Sequence, residues 1–136
     1  MKQAIYKAAR GMYNSLPVLI SAILLVGLAN AVVPKSFYSY FFSRNLIIDS
    51  FIGSALGSIL AGNPITSYVI GGELLKQGIS LVAVTAFIVS WVTVGIVQFP
   101  AEAILLGKKF AFYRNLSAFF LAIVVAILTV FVVSFI

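Results

Sequence analysis

The sequence has 136 residues, 62% of them hydrophobic and 9% charged, with a mean hydropathy of +1.17, well outside the range of soluble domains. Its 9 basic and 3 acidic residues give a net charge of +6; the basic ones flank apolar stretches, so lipid headgroups and orientation signals account for them and no nucleic-acid partner is expected. With no Cys and no His, disulfides, thiolate chemistry and the commonest zinc ligands are excluded, and neither cofactor nor metal is expected.

The composition is that of an all-α integral membrane protein, a single membrane domain over residues 1–136 with room for roughly four membrane-depth segments. Met1 to Tyr13 carries Lys2, Lys7 and Arg10 on a short amphipathic lead-in, and Ser15 to Val33 is long enough to cross the bilayer. Pro17 suits the first turn of that crossing, where its missing donor costs nothing, and Pro34 marks the far end. A secretory signal peptide is the rival reading, since basic residues, an apolar core and Ala29-Asn30-Ala31 all match one. The apolar run continues to Val33, which weighs against it. Lys35 to Arg44 turns aromatic, with Phe37, Tyr38, Tyr40, Phe41 and Phe42, the make-up of a belt at headgroup level.

The organising stretch is Gly62-Asn63-Pro64, where glycine, asparagine and proline each disfavour a continuing helix. Backbone groups freed there must find protein, water or a solute, because hydrocarbon offers no partner. Leu46 to Ala61 would be about 24 Å of helix and Ile65 to Lys76 about 18 Å, against a core of about 30 Å. Two arrangements follow: a re-entrant hairpin with its tip at Asn63-Pro64, or one long, kinked crossing. The expected fold is about three full transmembrane helices plus a broken or re-entrant helical hairpin at Gly62-Asn63-Pro64. Gly53, Gly57 and Ala61 stand four apart, with Ser50, Ser54, Ser58 and Gly62 on the adjoining row. Small residues at this spacing let helix backbones approach closely.

After the break, Thr66, Ser67 and Tyr68 place hydroxyls at the opening of a helix whose first N–H groups suit an anion or a polarised solute. Asn63 can cap that helix, or can merely join two ordinary ones. Glu73 is a proton or cation carrier if buried and a solvated helix-end charge if not, and lies within reach of Lys76 at i,i+3. Ile79 to Phe99 is an uncharged crossing carrying Ser90, Thr93 and Gln98 near one face. Such a stripe can look inward at the broken segment, or its hydroxyls can bond their own helix. Pro100 ends that helix and Glu102 follows. Ala101 to Asn115 reads as a loop or short amphipathic helix with Lys108, Lys109 and Arg114, and Leu116 to Ile136 as a lipid-facing final span.

With a re-entrant hairpin, six basic residues share the side of the N-terminus against Lys35, Arg44 and Lys76 on the other. That bias puts the N-terminus in the cytoplasm of a multi-pass cell (plasma) membrane protein; a crossing central stretch leaves the two sides nearly even.

Gly53 to Asn115, above all Ala61-Gly62-Asn63-Pro64-Ile65-Thr66-Ser67-Tyr68, Gly71-Gly72-Glu73-Leu74-Leu75, Ala86-Phe87-Ile88-Val89-Ser90-Trp91 and Phe99-Pro100-Ala101-Glu102 with Leu106-Gly107, resembles one half of the predicted-permease family that includes organoarsenical efflux permeases. The resemblance implies two related repeats, each with a Gly/Pro-containing broken segment followed by an Ala-Phe-rich helix, whose broken segments meet near the membrane centre. This chain is one repeat long, so a full pathway calls for two copies or a similar half-size subunit as partner. Its lack of Cys leaves the arsenical substrate a family label only.

Two functions stand. One is a half-transporter: Asn63, Pro64, Thr66, Ser67, Ser90, Thr93 and Gln98 line a site for a small molecule or ion, Glu73 or Glu102 couples to protons or ions, and a homodimer or heterodimer completes the pathway. The other is a non-transporting assembly subunit docking through the Gly53, Gly57 and Ala61 face. An enzyme is not expected, because Asp49, Glu73 and Glu102 are scattered and make no nucleophile–base pair or paired carboxylates.

Overall fold

The computed structural model describes residues 2–32, 40, 42–43, 45–60 and 64–136, and the elements among them are helices. They are α1 (Lys2–Val32), α2 (Leu46–Ile59), α3 (Pro64–Lys76), α4 (Leu81–Thr93), α5 (Phe99–Leu106) and α6 (Lys108–Val133).

α4 is the centre of the bundle. Val82, Ala83, Val84, Ala86, Phe87, Ser90 and Trp91 are all buried on it, and α2, α3 and α6 each pack against it. Gly53 of α2 meets Ala83 and Gly57 meets Phe87, so equal steps along the two helices match and α2 runs parallel to α4. α3 runs the other way. Leu74 packs near Ile79 and Val84, while Gly71, earlier in α3, abuts Val84 and Ile88. The corner between them is closed by Gly78, at φ +87°, with Gly78 N–H donating to Leu75 C=O (3.0 Å) and Ile79 N–H to Leu74 C=O (3.2 Å). Such a left-handed residue after the last turn is where glycine is needed. α6 is also antiparallel to α4, for Ala126 packs on Val82 and Ala86, whereas Asn115 reaches Gly95.

Three boundaries differ from the sequence expectation. α1 is one helix of 31 residues with Pro17 inside it. In place of a lead-in and a crossing there is one continuous helix, with Ala4, Lys7, Ala8, Ala9 and Arg10 as strong helix formers ahead of Gly11; Ser21 Oγ donates to the Pro17 carbonyl at 2.7 Å. α6 starts at Lys108, so Lys108, Lys109 and Arg114 lie on its opening turns and not in a loop. It follows Gly107, whose φ of +89° makes the corner with α5. The third is the expected crossing Ile79 to Phe99, which stops at Thr93 and resumes as α5.

Among the described residues, α6 is the one helix long and apolar enough to cross a membrane, about 39 Å by its length. α2 and α4 are apolar but only 14 and 13 residues long, about 21 and 20 Å, short of a core of about 30 Å.

Candidate functional site at the helix interruptions

The seam between α2 and α4 is built on residue size. A Cβ at Gly53 would meet the carbonyl oxygen of Ala83, and one at Gly57 that of Phe87. Backbone therefore touches backbone, and the serines on the adjoining row are enclosed. Ser50, Ser54 and Ser58 are buried, as is Ser90 opposite. Ser54 and Ser90 share a short hydroxyl–hydroxyl hydrogen bond. Ser50 Oγ donates to Ile47 C=O (2.9 Å) and Ser58 Oγ to Ser54 C=O (2.6 Å). These polar groups are fully partnered within protein, which holds the two helices in one register. The Gly53 and Gly57 face is thus taken by α4 of the same chain and is closed to a docking partner. Ala61 lies outside the described residues.

At the opening end of the pair sits Asp49, only 1% exposed. Its Oδ1 accepts from Ser43 N–H (3.0 Å) and its Oδ2 from Ser80 Oγ (3.0 Å), Ser80 being the cap residue of α4. Asp49 also lies in the first turn of α2, behind Asn45, whose side chain caps Ile47 N–H. One carboxylate faces the positive ends of two parallel helices. Sequence reasoning counted this acid without giving it a role; its place after an Asn cap was the available signal.

The far end holds the interruptions. Leu60 leaves α2 extended (φ -80°, ψ 143°) and Val94 leaves α4 extended (φ -103°, ψ 122°). The two ends are level, for Ile96 N–H lies 3.5 Å from Ser58 C=O. α3 begins at the same height. Gly71 abuts Ile88, and the helix rises about 10 Å over the residues between Pro64 and Gly71, bringing Pro64 near the level of Gly95. Two carbonyl ends and one N–H end so gather, an arrangement that offers opposite partial charges to a solute.

The expected site residues distribute unevenly around this point. Asn63 and its capping role lie outside the described residues. Pro64 is exposed at the first position of α3. Thr66 Oγ1 is buried with no hydrogen-bond partner among the described residues, while Ser67, fully buried, bonds back to Pro64 C=O (2.6 Å). The stripe expected from Ser90, Thr93 and Gln98 does not form. Ser90 faces α2, Thr93 Oγ1 bonds Val89 C=O of its own helix (2.7 Å), and Gln98 is exposed at the cap of α5. The unwinding at Val94 turns the last of these away.

The two coupling candidates part company. The Glu73 side chain is 22% exposed, pairs with Lys76 at 3.2 Å and takes Gln77 Nε2 at 3.4 Å. It borders a cleft of about 440 Å³ between α1 and α3, with Gly27, Tyr68 and Gly72, about 14 Å along α3 from Pro64. Glu102, by contrast, stands beside the interruption of α4. Its side chain is 16% exposed and accepts from Arg114 Nη1 at 2.5 Å and from Asn115 Nδ2 at 2.9 Å. Sequence reasoning did not single out Asn115, whose Oδ1 receives Gly95 N–H at 2.9 Å. Among the described residues no group of acids could hold a metal ion.

An all-helical bundle with interrupted central helices is the build of a transporter-like membrane protein. The sequence matches the model of the family described as predicted permease, ArsP_1, over residues 3–134, and the chain belongs to that family. No curated protein and no solved structure gave a match.

Proposed function

We propose that this chain is a half-transporter that moves a small solute or ion through a site at the gathered ends of α2, α3 and α4, completed by a second, similar subunit. The observation that carries this reading is the common level at which the parallel helices α2 and α4 both stop, with the N-terminus of α3 beside them. Polar backbone at that depth in hydrocarbon needs shelter, and a solute with both donor and acceptor groups fits two carbonyl ends facing one N–H end. Asn63, Pro64, Thr66 and Ser67 form the α3 side of the site. Ser90 braces its floor through Ser54, and Thr93 and Gln98 stand at its margin. Of the two carboxylates, Glu102 is the coupling group this reading favours, being beside the interruption, with Glu73 a separate charge near the opposite end of α3. The opposite senses of α2 and α3 along α4 support a re-entrant central segment in a plasma-membrane protein with a cytoplasmic N-terminus.

A subunit that only docks would need the Gly53 and Gly57 face, and α4 occupies it. Flux assays in reconstituted vesicles, run over a panel of small anions, cations and neutral solutes, test the permease reading. Asn63→Leu and Thr66→Val are expected to abolish a flux that the parent supports, and Glu102→Gln to uncouple it from a proton gradient. Equal flux in the parent, Asn63→Leu and Thr66→Val would remove the site.

A further inference from the structure

The interruption of α4 has no proline to cause it. Val92-Thr93-Val94-Gly95-Ile96-Val97 is β-branched apart from one glycine, a composition that weakens a helix without ending it. In a continued helix Gly95 N–H would bond the Trp91 carbonyl. Here it bonds the side chain of Asn115, on α6. We propose that Asn115, aimed by Glu102, is the positioning residue that keeps α4 interrupted at Gly95 and so sets the shape of the solute site; the functional half of this claim rests on the permease reading above.

Asn115 can face only one way. Its Nδ2 donates to Glu102 Oε2 (2.9 Å) and to Ala111 C=O (2.9 Å), while its Oδ1 accepts from Gly95 N–H (2.9 Å). Turning the amide over would set donor against donor at Gly95 and oxygen against carboxylate at Glu102. Glu102 is itself fixed by Arg114 and by its own N–H to Gln98 C=O (3.0 Å). The joint is closed on the other side by Gly95 C=O, which accepts from Gln98 N–H (3.1 Å) and Phe99 N–H (2.8 Å). Thus the end of α4, the start of α5 and the first turns of α6 hang on one side-chain amide. Without it, Gly95 N–H loses its acceptor and the joint is no longer pinned, which leaves Gly95 to Val97 free to move at the ends of α2 and α3.

Hydrogen–deuterium exchange on the whole protein in lipid nanodiscs tests the joint, beside flux in vesicles. Asn115→Leu is expected to speed exchange of the amides from Gly95 to Gln98 about tenfold, the worth of one lost hydrogen bond, while Val82 to Phe87 stay protected and flux is lost. The reciprocal pair Glu102→Gln with Asn115→Asp keeps the net charge, restores an acceptor for Gly95 N–H and reverses the bond between the two side chains, while giving up the bond to Ala111 C=O; it is expected to restore much of the protection from Gly95 to Gln98, which is read by exchange alone because Glu102 is also the coupling group. Unchanged exchange in Asn115→Leu, or loosening spread evenly through α4, would overturn the proposal, as would full flux in Asn115→Leu. A parent that moves no solute would instead sink the permease reading, and the exchange results would then decide the joint alone.

Discussion

At the scale of single residues, the polar groups that matter are those with partners far away in sequence. Asp49 joins Ser43 and Ser80 across the openings of α2 and α4. Asp49→Ala leaves a backbone N–H and a half-buried hydroxyl without an acceptor, so a loss of about 1–3 kcal/mol is expected, read as a lower unfolding temperature in detergent; Asp49→Asn, which keeps one acceptor, is expected to lose less. Ser54 and Ser90 provide the complementary case, since they bond each other. Ser54→Ala takes the partner from the Ser90 hydroxyl, Ser90→Ala leaves Ser54 Oγ only the Phe119 carbonyl at 3.5 Å, and a double-mutant cycle should return a coupling of about 0.5–1.5 kcal/mol. Single losses that simply add would show that the two hydroxyls do not work as a pair.

At the scale of elements, α2 and α4 are held by absent side chains. Gly57→Ala drives a methyl into the Phe87 carbonyl, and backbone cannot yield as a flexible side chain would; a loss of about 1–3 kcal/mol is expected. Gly72, with nothing near its Cβ position in α3, is the control, and Gly72→Ala should gain up to about 1 kcal/mol from helix propensity. Comparing the two unfolding temperatures separates contact from propensity. The same contrast explains what could be read ahead of the structure. Helical class follows from composition, and the separation of α2 from α3 from Gly62-Asn63-Pro64, because residue type and proline act on their own neighbourhood. The cue to close approach, Gly53 and Gly57 four apart, is likewise local. The stop at Val94 was not legible: its agent is the side chain of Asn115, twenty residues on and on another helix. Nor was the fate of the polar stripe, for once α4 unwinds, Gln98 no longer shares a face with Ser90.

At the scale of the whole molecule, the directions of the helices make a claim about sides. In the re-entrant arrangement proposed above, with α2 entering and α3 returning, Tyr40 and Lys76 belong to one face of the membrane and Lys108 to the other. The sequence has no Cys, so single cysteines can be placed at will. Tyr40→Cys and Lys76→Cys are expected to react with an impermeant maleimide on intact cells, and Lys108→Cys only after lysis. Reaction of Tyr40→Cys and Lys76→Cys from opposite sides would establish a crossing central segment instead. One further trait acts at this scale. α1 is a single helix of 31 residues lying chiefly along α3, about 46 Å against an oily layer of about 30 Å, so a placement across the bilayer would require it to lean. In the half-transporter reading that lean passes to α3 and on to the end at Pro64, so a thinner or thicker bilayer is expected to work on the gathered helix ends like a hand on a lever.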